Sequence, residues 1–480
     1  MNENKNEENK IEEHDHQEQR QKRHHHRTID MTTGPILGPL VMFILPLIGG
    51  SLFQQLYNTV DFLYVGNFLD KTAAAAVGAS STLITCIIGL FTGISVGTSV
   101  IAAQAIGAKN PQRASKALHT SVTFGLVGGV ILLTCGILFA PGILRLLRTP
   151  EEVMPQAVLY IRIYLLSVPM LVFYNMVSGG MRAYGDSRTP FRVLVICGLL
   201  NVVMDGLFIV VIPLGVAGVG VATAITQSLS AFLIGWFASR PGRPIQLSFR
   251  EMGIDWKMLG SVLRIGLPTG IQTIIITFSN IMVQYYINDF GETAVAAFAT
   301  YYKVETLIYL PIVAFGQAAT TFAGQNVGAG NYRRLRKGTF VITGISVAIT
   351  ACIAGVILIS PRTVFSWFMK DQEVVTNALR IAMISFPLYW LYPILEVNGG
   401  SVRGMGRTLP SMITVIANMC ILRVTLLAIF SRVFHTIESL GACYPITWGT
   451  CAVSFVILFL VIVNREIRRH DEGAAEPAEG

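Results

Sequence analysis

Twelve apolar runs of about twenty residues or more follow one another through this chain, and no other feature limits its fold so strongly. They lie near 36–66, 73–105, 117–141, 157–181, 191–213, 215–239, 259–288, 294–326, 339–361, 375–400, 409–431 and 440–463. A helix of that length crosses a ~30 Å hydrocarbon core, and in lipid only a helix or a closed barrel satisfies its own backbone. Charge is correspondingly scarce. Asp, Glu, Lys and Arg make up 13% of the 480 residues, against about 25% in soluble proteins. The expected fold class is an all-α polytopic membrane protein with 12 transmembrane helices, the longer ones tilted or extended beyond the bilayer.

Polar segments flank the runs. Residues 1–30 hold five of the eight histidines (His14, His16, His24, His25, His26) and read as a disordered cytoplasmic tail, with everything recognisable beginning at Met31. A metal-binding arm is the less favoured reading of that tail. These thirty residues contain no apolar stretch, so no signal peptide is expected. Residues 464–480 form a second polar tail. The seven cysteines lie inside apolar runs with no C-x-x-C spacing and read as small buried hydrophobes.

Basic residues orient the chain. The connections after even-numbered runs carry Lys109, Arg113, Lys116, Arg182, Arg188, Arg192, Arg240, Arg243, Arg250, Lys257, Arg333, Arg334, Arg336, Lys337, Arg403 and Arg407, and the C-terminal tail adds Arg465, Arg468 and Arg469. The connections after odd-numbered runs are poorer in them. Both termini are therefore expected in the cytoplasm of a cell (inner or plasma) membrane protein. The net formal charge of +8 is explained the same way and carries no expectation of nucleic-acid binding.

The sequence also repeats. A-Q-A-I-G-A-K-N (103–110) returns as G-Q-N-V-G-A-G-N (324–331), Gly179-Gly180 as Gly399-Gly400, and Leu45-Pro46 as Leu267-Pro268, all at offsets of 220 to 222. Six spans per half is an even number, so the halves enter the membrane the same way. The expectation is two six-helix lobes, 31–239 and 258–463, related by a pseudo-two-fold axis along the membrane normal and joined by a linker at 240–257. Pro46 lies mid-span and removes a backbone hydrogen bond there, which permits bending. Its counterpart Pro268 is read as starting the seventh helix.

Charged groups within spans mark paths or relays. Gln54, Asn58 and Asp61 fall at i, i+4 and i+7 of the first span, and Asn201 and Asp205 at i and i+4 of the fifth. With Thr223 of the sixth, Asp61 and Asp205 lie roughly 8–12 Å below the outer helix ends at 1.5 Å per residue. Two carboxylates in low dielectric resist joint ionisation, so a proton or a hard cation such as Na⁺ suits them. Hydrogen bonding between helices is the plainer use of such residues. Further polar or aromatic residues expected along a cavity are Tyr57, Tyr174, Asn175, Met176, Asn280 and Glu305. Lys303 is a possible neutraliser of Glu305, and Glu396 is read either as an ion-pair partner of Arg403 or as a transport residue.

P-L-I-x-x-x-L-F-Q-Q-L-Y-N-T-V-D (46–61), Q-x-I-G-A-K-N (104–110), R-A-Y-G-D-S-R-T-P (182–190) and N-V-V-M-D (201–205) together resemble the multidrug and toxic compound extrusion (MATE) family. The resemblance covers about residues 31–465. It implies a V-shaped, alternating-access exporter of lipophilic organic cations driven by H⁺ or Na⁺, with cation coupling at Asp61, Asn201, Asp205 and Thr223 and a hinge at Pro46. Any Na⁺ would sit at Asp61 and Asp205. The seventh span has no carboxylate between Arg264 and Asp289, so a Na⁺ site in the second lobe is not expected. A monomer without cofactor is expected, its partners being small cations and the bilayer. A flippase for a lipid-linked substrate is the alternative. An enzyme is not expected, because there is no intramembrane Ser–His pair, no H-E-x-x-H and no phosphate-binding G-x-x-x-x-G-K-[ST] loop.

Overall fold

The computed structural model describes residues 29–146 and 148–475, which leaves the tail histidines outside the described residues. Among the described residues the chain is helical throughout and contains no strand. The first lobe comprises α1 (Leu37–Phe68), α2 (Lys71–Gly107), α3 (Pro111–Leu146), α4 (Met154–Ala183), α5 (Arg188–Asp205) and α6 (Val216–Ala238). The second comprises α7 (Trp256–Asn288), α8 (Glu292–Gly328), α9 (Tyr332–Ile359), short α10 (Pro361–Ser366), α11 (Gln372–Ser385), α12 (Leu391–Gly404), α13 (Thr408–Val415), α14 (Arg423–Val433) and α15 (Ile437–Ala475).

Eleven of these stretches are long and apolar enough to cross a membrane. α11 and α12, bent by 55° at the turn between them, form the twelfth. The bend follows from Pro387, which lacks a backbone N–H and sits in a 3₁₀ turn over Phe386–Leu388. Where spans start, carboxylates take up free N–H groups. Asp70 accepts from Ala73 N, Asp255 from Met258 N and Asp371 from Val374 N. Large apolar side chains such as Leu45, Leu56, Phe62, Phe232 and Val356 stay exposed, as lipid as solvent allows.

Each lobe encloses its own apolar core, and a third cluster joins α1 to α8 with Phe43, Ile44, Phe315 and Phe322. The longest seam between lobes runs along α2 and α7. Both helices carry a G-x-x-x-G there. A Cβ at Gly93 would lie 2.2 Å from Gly270 N, and one at Gly97 would lie 2.4 Å from Val262 O, so only glycine permits this approach of backbones.

Three expectations change. Pro268 does not start its helix but lies twelve residues inside α7, as Pro46 lies inside an unbroken α1. The C-terminal segment is no tail from 464 onward, because α15 continues to Ala475. Ion pairs of Glu466 with Arg407 and of Asp471 with Arg333 hold its extension against the second lobe. Residues 29–34 are not simply part of the first lobe either. Met31, 2% exposed, donates its N–H to Gln325 Oε1, and Arg334 donates to the carbonyls of Met31, Thr33 and Gly34. Ile29 meanwhile lies against Gly185 of the first lobe.

The linker between lobes leaves α6 at Ser239 and reaches α7 at Trp256. It is fixed to α3. His119 Nδ1 donates to Ser115 O at 2.8 Å, so Nε2 is free to accept the Ser248 N–H at 2.9 Å. Lys116 pairs with Asp255 at 2.6 Å and holds that carboxyl below the usual carboxylate range.

Candidate functional site

In α1, Phe53, Tyr57 and Asp61 recur at helical spacing on the face turned to α5. The close approach is made at Gly198, where a Cβ would lie 2.6 Å from Phe53 and 3.2 Å from Tyr57. This register brings Asp61 and Asp205 within hydrogen-bonding reach of each other. Neither carboxyl has a donor among the described residues: Asp61 Oδ1 and both oxygens of Asp205 are buried and unmet. Tyr160 of α4 stands beside both, and Tyr57 beside Asp61. Val65, Ile209 and Val219 close the site with apolar surface.

Asp205 is the last α-helical residue of its span. A π turn over Gly206–Val211 follows, and a Cβ at Gly206 would lie 3.0 Å from the Tyr64 hydroxyl. Such turns leave the i→i−4 ladder locally and recur at functional sites. The same device appears in the second lobe, where a π turn over Ile416–Leu422 precedes Arg423.

The expected set of four is rearranged at one position. Asn201 Nδ2 approaches Thr226 Oγ1 at 3.5 Å, while the Thr223 hydroxyl donates to Val219 O within its own helix at 3.0 Å. Thr226 is therefore the hydroxyl facing Asn201. It lies one turn further along α6, and the one-level depth argument favoured Thr223 because helix tilt is invisible in sequence. Gln54 and Asn58 stay exposed while Asp61 turns inward, so the three do not share one environment.

The remaining cavity candidates separate. Met176 is 0% exposed, packed in the first lobe's core against Thr98, and lines no cavity in this conformation. The Tyr174 hydroxyl donates to Pro190 O at 3.1 Å, and the Asn175 amide to Leu171 O at 3.0 Å. Asn280 is exposed. Glu305 accepts from the Tyr389 hydroxyl at 3.0 Å, whereas Lys303 is exposed and does not pair with it. Glu396 pairs with Arg403 at 2.8 Å.

The residue that sequence reasoning missed is Arg423. It lies deep in an apolar span, 5% exposed, beside an aromatic cluster that includes Tyr301, Tyr444 and Trp448. Its Nη2 donates to Met419 Sδ at 3.0 Å and approaches Thr447 Oγ1 at 3.4 Å, and its guanidinium sits 5.0 Å from the Tyr444 ring. The rule that singled out Asp61, a charge within a span, would have found it.

The lobes meet at the end that carries the basic connections, and the contact obeys the internal repeat. Gln104 Nε2 donates across to Gly404 O at 3.0 Å, and Gln325 Nε2 donates across to Ala183 O at 2.9 Å. A Cβ at Gly107 would lie 1.9 Å from Gln325 O, and one at Gly328 would lie 1.9 Å from Gln104 O. The two Q-x-x-G turns thus clasp each other.

Two repeated lobes of six spans, an acidic pair turned inward between helices and a clasped lobe contact define a two-lobe membrane transporter. The chain belongs to the MatE family, whose profile matches residues 46–207 and 268–429. It is 29% identical over 384 residues to the probable multidrug resistance protein YoeA of Bacillus subtilis (strain 168), covering 78% of this chain and 83% of that one. It is 29% identical over 409 residues to the probable multidrug resistance protein YpnP of the same organism, covering 84% and 91%. The fold matches an outward-facing multidrug resistance MATE family transporter of the MOP superfamily with a TM-score of 0.87 at 21% identity, over 92% of this chain and 99% of that one. A MOP superfamily transporter from Pyrococcus furiosus, described as having a binding pocket of reversed polarity, matches at a TM-score of 0.79 and 22% identity, over 90% and 95%.

Proposed function

We propose that this protein is a proton-coupled multidrug exporter that alternates between outward and inward openings. The observation that carries the reading is the Asp61–Asp205 pair. A half-buried carboxyl on Asp61 and a fully buried one on Asp205, within hydrogen-bonding reach and with no donor among the described residues, form an arrangement that one shared proton completes, and their mutual repulsion opposes joint ionisation. Curated relatives named multidrug resistance proteins support the substrate class.

With the basic end in the cytoplasm, the clasp of Gln104 and Gln325 closes the inner side and leaves the acidic pair on the outer half. A proton arriving from outside neutralises one carboxylate and changes the attraction between α1 and α5. The α1 helix can respond at Pro46, and the π turn after Asp205 gives the α5 contact slack. Loss of one negative charge weakens the hold on a cationic drug near Gln54, Asn58 and Glu305, and drug leaves outward. Opening of the clasp then exposes the pair to the cytoplasm, where the proton departs. Coupling requires that proton and drug favour opposite states. One proton moving down a tenfold gradient supplies about 1.4 kcal/mol, so one-for-one electroneutral exchange sustains about a tenfold drug gradient per pH unit.

The test is ethidium efflux from proteoliposomes under an imposed pH gradient or an imposed Na⁺ gradient, comparing wild type with Asp205→Asn. Efflux that follows the pH gradient and disappears in the variant is the expected outcome. Efflux that follows Na⁺ alone overturns proton coupling, and undiminished efflux by the variant overturns the site.

A further inference from the structure

Near the cytoplasmic end of the first lobe lies a cavity of about 150 Å³, apart from the acidic pair and the lobe contact. It is lined by Asp186, Arg188, Thr189, Arg192, Phe237 and Arg243. Three arginines and one carboxylate contribute to that lining. That carboxylate is already engaged: Asp186 accepts from Arg243 Nη1 at 2.9 Å, from Thr189 N at 3.0 Å and from Thr189 Oγ1 at 2.7 Å. Arg243 is held further by the Tyr184 hydroxyl at 2.8 Å. Arg188 and Arg192, one helical turn apart on α5, form no ion pair among the described residues, and both are exposed. The cavity is thus a fixed concave wall with two uncommitted arginines on its rim.

What lies beyond the rim indicates the ligand. Ile196, Leu199 and Val203 continue the Arg192 stripe along α5 at i+4, i+7 and i+11, and all three are exposed. On neighbouring α6, Phe232 and Trp236 are exposed as well, and the Arg240 guanidinium lies 4.0 Å from the Trp236 ring centroid. An exposed tryptophan capped by arginine at the end of an apolar stripe marks the headgroup level of a bilayer. The positive-inside rule accounts for basic residues in this connection. It does not account for their convergence on one cavity above an apolar track.

We infer that this cavity binds the phosphate of an anionic phospholipid, whose acyl chains follow the α5–α6 track. Arginine suits the role, because its planar fork matches phosphate oxygens. The inference is independent of proton coupling and drug export.

The test uses the full chain, delipidated in detergent and offered equal amounts of phosphatidylglycerol and phosphatidylcholine, with retained lipid read by native mass spectrometry. Wild type is expected to retain phosphatidylglycerol selectively. Each basic residue near an anionic headgroup contributes roughly fivefold, so the Arg188→Gln/Arg192→Gln pair should lose about 25-fold in retention. The Arg188→Lys/Arg192→Lys pair, which keeps the charge and reports on folding, should retain most of it. A charge-matched Arg250→Gln/Lys337→Gln pair should bind as wild type does.

Displacement of the lipid by millimolar inorganic phosphate would assign the same phosphoryl chemistry to a soluble anion and overturn the lipid. Equal retention of both lipids by wild type, or equal loss in the charge-matched pair, would overturn the site altogether.

Discussion

Asp61 Oδ1 and both oxygens of Asp205 are buried and unmet among the described residues, whereas the nearby hydroxyls of Thr223 and Thr226 bond back to their own helix. The Asn201–Thr226 contact therefore orders the site more directly than Thr223 does. Thr226→Val should reduce the efflux rate about fivefold, the worth of one neutral hydrogen bond of about 1 kcal/mol. Thr223→Val should leave the rate near wild type, both being read from initial ethidium efflux. Arg423 poses the complementary case of a buried cation near a half-buried Glu305. Removing one charge leaves the other uncompensated, so Arg423→Gln should lower the thermal midpoint. Adding Glu305→Gln should recover part of the loss, with a coupling of roughly 1–3 kcal/mol in a double-mutant cycle of unfolding. Additive losses would mean that the two charges do not interact.

Among the elements, the two turns 104–107 and 325–328 act as a pair because the repeat places each glutamine over the other lobe's carbonyl. Beside them α2 and α8 approach closely, and a Cβ at Gly324 would lie 2.8 Å from that of Ala103. Parting the helices by about an ångström brings these positions into disulfide range, about 3.8 Å between Cβ atoms. In a background without the native cysteines, Ala103→Cys/Gly324→Cys should therefore crosslink under oxidation. The crosslink should abolish efflux, and reductant should restore it. Transport by the fully crosslinked protein would show that this contact never opens.

Across the whole molecule, the two inter-lobe seams are unequal despite the repeat. The α2–α7 seam is closed backbone to backbone by paired glycines, while the α1–α8 seam is an apolar contact confined to the end near Phe43 and Phe322. The helix that carries Asp61 and Pro46 is thus the less tightly held of the two. The segment Ile29–Gly34 adds a strap across both lobes at their contact, secured by Gln325 and Arg334. Arg334→Gln should loosen this strap and raise amide exchange at the ends of α2 and α8 near Gly107 and Gly328. Exchange unchanged in the variant would show that the strap does not hold the contact closed.

The sequence by itself determined the spans, their number and the repeat, because a membrane interior demands long uncharged helices and tolerates charge only for a reason. It also singled out Asp61, Asn201 and Asp205, since an intramembrane carboxylate is conspicuous against apolar neighbours. It placed Pro268 at a helix start and ended the last helix at 463, because hydropathy reports where lipid ends and helices can run further. Only tertiary structure decided that Thr226 faces Asn201, that Met176 is core, and that residues 29–34 cross both lobes. Each of these depends on helix tilt and rotation, which packing between lobes sets and which a one-dimensional pattern of apolar residues does not encode.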